Sequence, residues 1–213
     1  MKLLLTSSGI TNKSIEKALR ELVGEEIKTA FIPTAANYSD NDKSWLIEDF
    51  QGFMKLGFFT LVDIAALEKK DWLPRLQKVN VIVLGGGSAS YLMDKIKKSG
   101  FDKEIRELAK TKVIVGISAG SIALAERLWG SSENLLGGTY ETSPPGLGLT
   151  KINTRAHYLS EKRPNYTKEN ISRFTKNSTH EIYAIDNDTA IKIVDDNIEV
   201  ISEGKWEIFP EKD

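Results

Sequence analysis

The 213-residue chain contains no cysteine, which excludes a disulfide scaffold, a thiolate zinc site and a cysteine nucleophile. Histidine is almost as scarce. With His157 and His180 alone, a site of three imidazoles is excluded, and only a metal site built mainly of carboxylates stays open. Neither sign of charge is in excess: 29 Lys+Arg against 30 Asp+Glu leave −1 at pH 7, which argues against a nucleic-acid wrapper or polyanion binder. Long apolar runs are missing too. No stretch approaches the ~20 residues of a membrane span, and Met1–Leu5 is too short for a signal-peptide core. The expectation is a cytoplasmic protein without a nucleic-acid or membrane partner. What is present, 40% hydrophobic residues in a length suited to one core, predicts a single α/β domain over residues 1–213.

For the first 130 residues, strand-like runs alternate with helical patterns. Strands are predicted at 2–8, 28–33, 59–65, 79–84 and 113–117. Between them, Ile15, Ala18, Leu19, Leu22 and Val23 share one helix face. Leu46, Phe50 and Phe53 mark a second helix, stopped near Gly57. Residues 91–96 and 101–108 give two more, broken at Gly100, and 119–128 another. This rhythm predicts a mostly parallel twisted sheet with helices on both faces. It fails after Trp129: residues 130–149, rich in Gly, Ser and Pro, read as a long loop or flap. A short helix at 168–174 and strands at 181–185, 189–194 and 198–201 complete the chain as an antiparallel extension, with a turn at Asp195-Asp196-Asn197.

Gly116-Ile-Ser118-Ala-Gly120 places G-x-S-x-G between a buried strand and a helix, the context of a nucleophile elbow. The glycines let the neighbouring backbone approach closely; the plainer alternative is a helix-capping serine. Gly85-Gly86-Gly87-Ser88 also follows a buried strand, and its uncovered N–H groups could form one arm of an oxyanion hole, with the Ala119 N–H as the other. A tight turn or a phosphate cradle are the alternatives, although the G-K-[ST] ending of a phosphate loop is missing and Ser90 stands where a dinucleotide fingerprint needs its last glycine. A serine nucleophile needs a base. His157, downstream of the flap, is favoured over His180, which lies in a polar turn.

The order of GGGS, GISAGS, PPGLGL (residues 144–149) and a lone histidine followed six residues on by Arg163 resembles the dipeptidase E and cyanophycinase serine peptidases, over about residues 2–189. The resemblance implies a class I glutamine amidotransferase-like fold, no metal or organic cofactor, and a short peptide as substrate, with aspartyl dipeptides among the candidates. It also implies Ser118 as nucleophile, His157 as general base, and Gly87 and Ala119 as oxyanion-hole amides. For the third member it points to two places. One is the segment Asp186-Asn187-Asp188, with Asn187 in register, and the other is Glu133, fifteen residues after the serine. An acidic group is expected at the histidine, because asparagine can orient an imidazole but cannot stabilise imidazolium by charge. The Asn-Asp pair of the aspartyl dipeptidases is Ser132-Glu133 here, so aspartate preference is not carried over by sequence alone. A serine esterase or amidase of small metabolites, and an inactive peptide-binding relative, are the competing expectations.

Overall fold

In a computed structural model, residues 1–131 and 139–210 are described. A seven-stranded sheet runs in the order β3-β2-β4-β5-β1-β8-β9, formed by β1 (Lys2–Thr6), β2 (Ile27–Ile32), β3 (Gly57–Leu61), β4 (Val81–Leu84), β5 (Val113–Ile117), β8 (Thr189–Val194) and β9 (Asn197–Ser202). The first five are mutually parallel. β8 and β9 continue the sheet in antiparallel fashion beyond β1. A three-stranded sheet, β10-β7-β6, is built from β6 (Asn153–Arg155), β7 (Ile182–Ile185) and β10 (Trp206–Phe209). The helices are α1 (Lys13–Val23), α2 (Ser44–Met54), α3 (Lys69–Gln77), α4 (Ala89–Ser99), α5 (Phe101–Leu108), α6 (Ala119–Leu124) and α7 (Lys168–Thr175).

The central strands alternate their side chains between two buried cores. In β1, Leu3 and Leu5 enter one core with α3, α4 and α5, while Leu4 enters the other with α1 and the Phe31–Phe53 cluster. The mostly parallel α/β architecture with its antiparallel C-terminal strands agrees with the sequence reading. Several boundaries and elements differ. Helix α3 was not predicted, because Pro74 and five charged or amide residues hide a single buried pair, Trp72 and Leu76. β3 begins at Gly57 rather than Phe59, and α6 stops at Leu124 instead of reaching residue 128. The short strands β6 and β10 carry too few residues for a period-2 signal.

What matters for function is which chain ends meet. The C-terminal ends of β1, β4 and β5 lie at one edge of the sheet, where Thr6 pairs with Ile117 and Leu84 with Gly116. Antiparallel β8 starts at that same edge, with Ala190 opposite Thr6. β6 and β7, parallel to each other, lead into His157 and Asn187. A crevice at the carboxyl ends of parallel strands is the usual ligand site of open α/β sheets.

Candidate active site

The elbow is bolted to the sheet from below. Ser118 N–H and Ser121 Oγ both donate to the Thr6 carbonyl, at 2.9 Å each, and Thr6 Oγ1 donates to the Gly116 carbonyl at 3.0 Å. Between them Ser118 sits at φ 48°, ψ −105°, a region a non-glycine residue occupies at a cost of about 1–3 kcal/mol. That strain turns its Oγ up out of the sheet edge. The flanking glycines are sterically required: a Cβ on Gly120 would overlap the Leu84 carbonyl of β4, and one on Gly116 would lie 2.5 Å from Ser121.

Beside the serine, Gly87 has φ 136°, and a Cβ there would overlap the Ala35 carbonyl. The next amide, Ser88 N–H, donates to that same carbonyl at 3.1 Å. Among the described residues neither the Gly87 nor the Ala119 N–H has an acceptor, so both donors are available beside Ser118.

His157 closes the arrangement. Its Nε2 lies 3.1 Å from Ser118 Oγ and its Nδ1 2.8 Å from Asn187 Oδ1. Asn187 Oδ1 also accepts from the hydroxyls of Ser7 and Ser8, at 3.2 and 2.9 Å. An oxygen with three donors around it assigns the Nδ1–H tautomer to His157, leaving Nε2 as acceptor for the serine O–H. The His157 backbone, at φ 61°, is held by its N–H donating to Ser7 Oγ at 2.9 Å. Burial holds the imidazole below its usual pKa. Arg163 and Arg155 act in the same direction, and only the bond to Asn187 opposes them.

The acidic neighbour expected at Nδ1 is not there among the described residues. Asp186 points away: its carboxylate accepts from the Asp188 and Lys205 N–H groups and from Thr189 Oγ1, at 3.1, 2.5 and 2.7 Å, closing the turn into β8. Asp188 serves through its carbonyl, which accepts from Asn12 Nδ2. Glu133 lies outside the described residues. His180 is engaged elsewhere, stacked face to face on Tyr140 with ring centroids 3.5 Å apart.

Sequence reasoning missed Arg155. It is 2% exposed and lines, with Gly87, Ser118, Ala119, His157 and Arg163, a cavity of about 70 Å³. Nη1 donates to the Gly130 carbonyl at 2.5 Å, and the guanidinium lies over the Tyr166 ring at 3.7 Å. Among the described residues Nε and Nη2 have no partner and no carboxylate lines the cavity. Burial lowers the guanidinium pKa to about 10, so it stays charged at neutral pH. Its place two residues before the histidine was the available signal.

A strained serine at a strand-to-helix turn on a parallel sheet, with an imidazole in hydrogen-bond reach, is the architecture of α/β serine hydrolases. The chain belongs to peptidase family S51, whose sequence profile matches residues 3–201, and it is therefore a serine peptidase by class. It is 28% identical over 178 residues to the uncharacterized peptidase YgaJ of Bacillus subtilis, covering 82% of this chain and 72% of that one. To the uncharacterized peptidase Lin0382 of Listeria innocua it is 26% identical over 172 residues, covering 79% and 81%. In fold it is similar to a candidate peptidase E from Listeria monocytogenes, with TM-score 0.76, 23% identity and coverage of 95% and 98%. A peptidase from an acI-B1 actinobacterium gives TM-score 0.73 at 18% identity, covering 99% and 92%. No helix among the described residues is long and apolar enough to cross a membrane.

Proposed function

We propose that the protein hydrolyses short peptides through an acyl-enzyme on Ser118, and that its preferred substrates carry an acidic residue on the acyl side of the scissile bond. The observation that carries the reading is the 3.1 Å contact between His157 Nε2 and Ser118 Oγ in a tautomer that accepts the serine proton. His157 takes that proton as Oγ bonds to the carbonyl carbon. The Gly87 and Ala119 N–H groups receive the oxyanion. Collapse of the tetrahedral species breaks the C–N bond, with the proton passing from His157 to the departing amine. Water then attacks the acyl carbon and gives up its proton to His157, which passes it to Ser118 Oγ as the acyl–oxygen bond breaks and the acid is released. Asn187 keeps the tautomer in place without adding charge.

The acidic preference rests on Arg155, a cation with two donor nitrogens that have no partner among the described residues, in the cavity that adjoins Ser118. A buried guanidinium of this kind matches a carboxylate by charge and by planar geometry. Aspartyl dipeptides fit both the charge and the small volume. The test is a fluorophosphonate probe with aspartyl and alanyl dipeptides as substrates. Ser118 is expected to be the labelled residue, and Ser118→Ala to lose turnover while keeping its fold. Arg155→Met should lower kcat/KM on the aspartyl peptide by about a hundredfold and much less on the alanyl peptide. Labelling elsewhere, or turnover by Ser118→Ala, refutes the mechanism; equal losses on both peptides refute the acidic preference.

A further inference from the structure

The cavity beside Ser118 carries a second polar group, used neither by the mechanism nor by the Arg155 reading. Ser131 is 4% exposed and lines the cavity, and its Oγ has no hydrogen-bond partner among the described residues. Among those residues, Arg155 and Ser131 are the two that bring buried side-chain atoms without a partner to this cavity; others, such as Thr29 Oγ1 and Trp72 Nε1, do not line it. The backbone ties the pair together. Arg155 Nη1 donates to the Gly130 carbonyl at 2.5 Å, and Ser131 is the residue joined to that carbonyl by its peptide bond. Ser131 N–H in turn donates to the Leu128 carbonyl at 3.0 Å, which holds its backbone in place. A buried hydroxyl without a partner weakens a fold, and it is satisfied only when a ligand fills the cavity it lines.

The two groups are complementary as donors. With Nη1 tied to Gly130 and the guanidinium lying over the Tyr166 ring at 3.7 Å, Nε–H and Nη2–H share the free edge of the fork. A carboxylate that meets this edge side-on gives one lone pair from each oxygen and keeps another on each. A neighbouring hydroxyl can take up one of those left over. We infer that Ser131 is a specificity-determining residue whose O–H donates to the same substrate carboxylate that Arg155 grips. The inference rests on the reading that the acidic side chain on the acyl side of the scissile bond occupies the Arg155 cavity. Arg155 supplies the charge, and Ser131 adds a neutral donor from the opposite end of the Gly130 anchor.

The experiment compares Asp-Ala with Ala-Ala, as kcat/KM for the wild type and as Kd by calorimetry for Ser118→Ala, which needs no turnover. Ser131→Ala is expected to lower the Asp-Ala to Ala-Ala ratio of kcat/KM about tenfold, through KM more than kcat, and to weaken Asp-Ala binding to Ser118→Ala by a similar factor. Ser131→Thr, which keeps the hydroxyl, should hold the ratio within about threefold of the wild type. In an Arg155→Met background the further loss from Ser131→Ala should shrink to within about twofold, because both groups act on one carboxylate. The urea midpoint of ligand-free Ser131→Ala should equal or exceed that of the wild type, since the hydroxyl has no partner to lose. An unchanged ratio in Ser131→Ala, or a loss that persists in full in the Arg155→Met background, overturns the inference, and so does a lowered midpoint, which marks Ser131 as structural. A wild type that does not favour Asp-Ala refutes the acidic-substrate reading, and the role of Ser131 falls with it. A preference lost in Arg155→Met but untouched in Ser131→Ala leaves that reading standing and removes Ser131 alone. Discriminating binding by Ser118→Ala without hydrolysis by the wild type would refute the catalytic reading and leave the Ser131 contact supported.

Discussion

At His157 the electrostatic demand of the proposed mechanism and the observed neighbour pull in different directions. Imidazolium must form as Ser118 attacks, yet Nδ1 faces a neutral amide, and burial together with Arg155 and Arg163 lowers the histidine pKa. The sign follows directly. Only neutral imidazole accepts the serine proton, so a pKa below 6.5 moves the acid limb of kcat/KM to lower pH, and activity should persist well under pH 6.5. Asn187→Asp places a carboxylate in the same cradle of Ser7 and Ser8 hydroxyls. It should shift the acid limb upward by about one unit or more and raise kcat several-fold, whereas Asn187→Ala should lower kcat by tenfold or more. An unshifted limb in Asn187→Asp would show that the amide oxygen does not govern His157. Register with the family picked out Asn187 and place in the motif picked out Glu133, while the charge argument asked for an acidic group, Glu133, Asp186 or Asp188. Asp186 and Asp188 differ from Asn187 by one residue, and which of three consecutive polar side chains turns inward depends on the Asp186 cap on Lys205 and Thr189, which only the fold reveals.

The elements that hold the serine are those the sequence displayed most clearly. β5 was legible to the residue because an all-buried parallel strand leaves no polar position, and the glycines of G-x-S-x-G are dictated by contact, Gly120 with Leu84 of β4 and Gly116 with Ser121 of α6. β6, only three residues long, positions both Arg155 and His157, and its brevity made the guanidinium invisible as part of the site. The steric account of the elbow separates two glycines of different kinds. Gly120→Ala drives a Cβ into the Leu84 carbonyl, so α6 must move off β4 at a cost of about 2–3 kcal/mol, with loss of turnover. Gly100→Ala, at φ 74° with open space around it between α4 and α5, should cost about 1 kcal/mol and leave turnover intact. Urea midpoints and kcat for the two variants check this; equal destabilisation would mean that the Gly120 contact is not what fixes the elbow.

Over the whole molecule, a second buried titratable group lies under the loop that carries Ser7 and Ser8. Asp49 of α2 is 7% exposed; its Oδ2 has no partner among the described residues, and its Oδ1 would lie 2.9 Å from a Cβ on Gly9. Burial first, and repulsion from Glu48 second, raise its pKa from 3.8 to about 7. A folded pKa above the unfolded one means that the native state holds the extra proton. The stabilisation is complete below about pH 3.8 and is lost as pH rises through about 7. The span corresponds to an upper bound on the order of 4 kcal/mol. Its direction is opposite to that of the catalytic limb: rising pH gives turnover the neutral His157 it needs, and takes from the fold the proton that stabilises it at Asp49. Asp49→Asn keeps the shape and abolishes the ionisation, so the variant should match the wild type near pH 4 and exceed it by about 2–4 kcal/mol at pH 8. Urea unfolding of both proteins at pH 4, 6 and 8 gives the comparison. Stability curves that run parallel across that range would mean that Asp49 is solvated in the folded protein, and the proposed opposition between stability and activity would disappear with it.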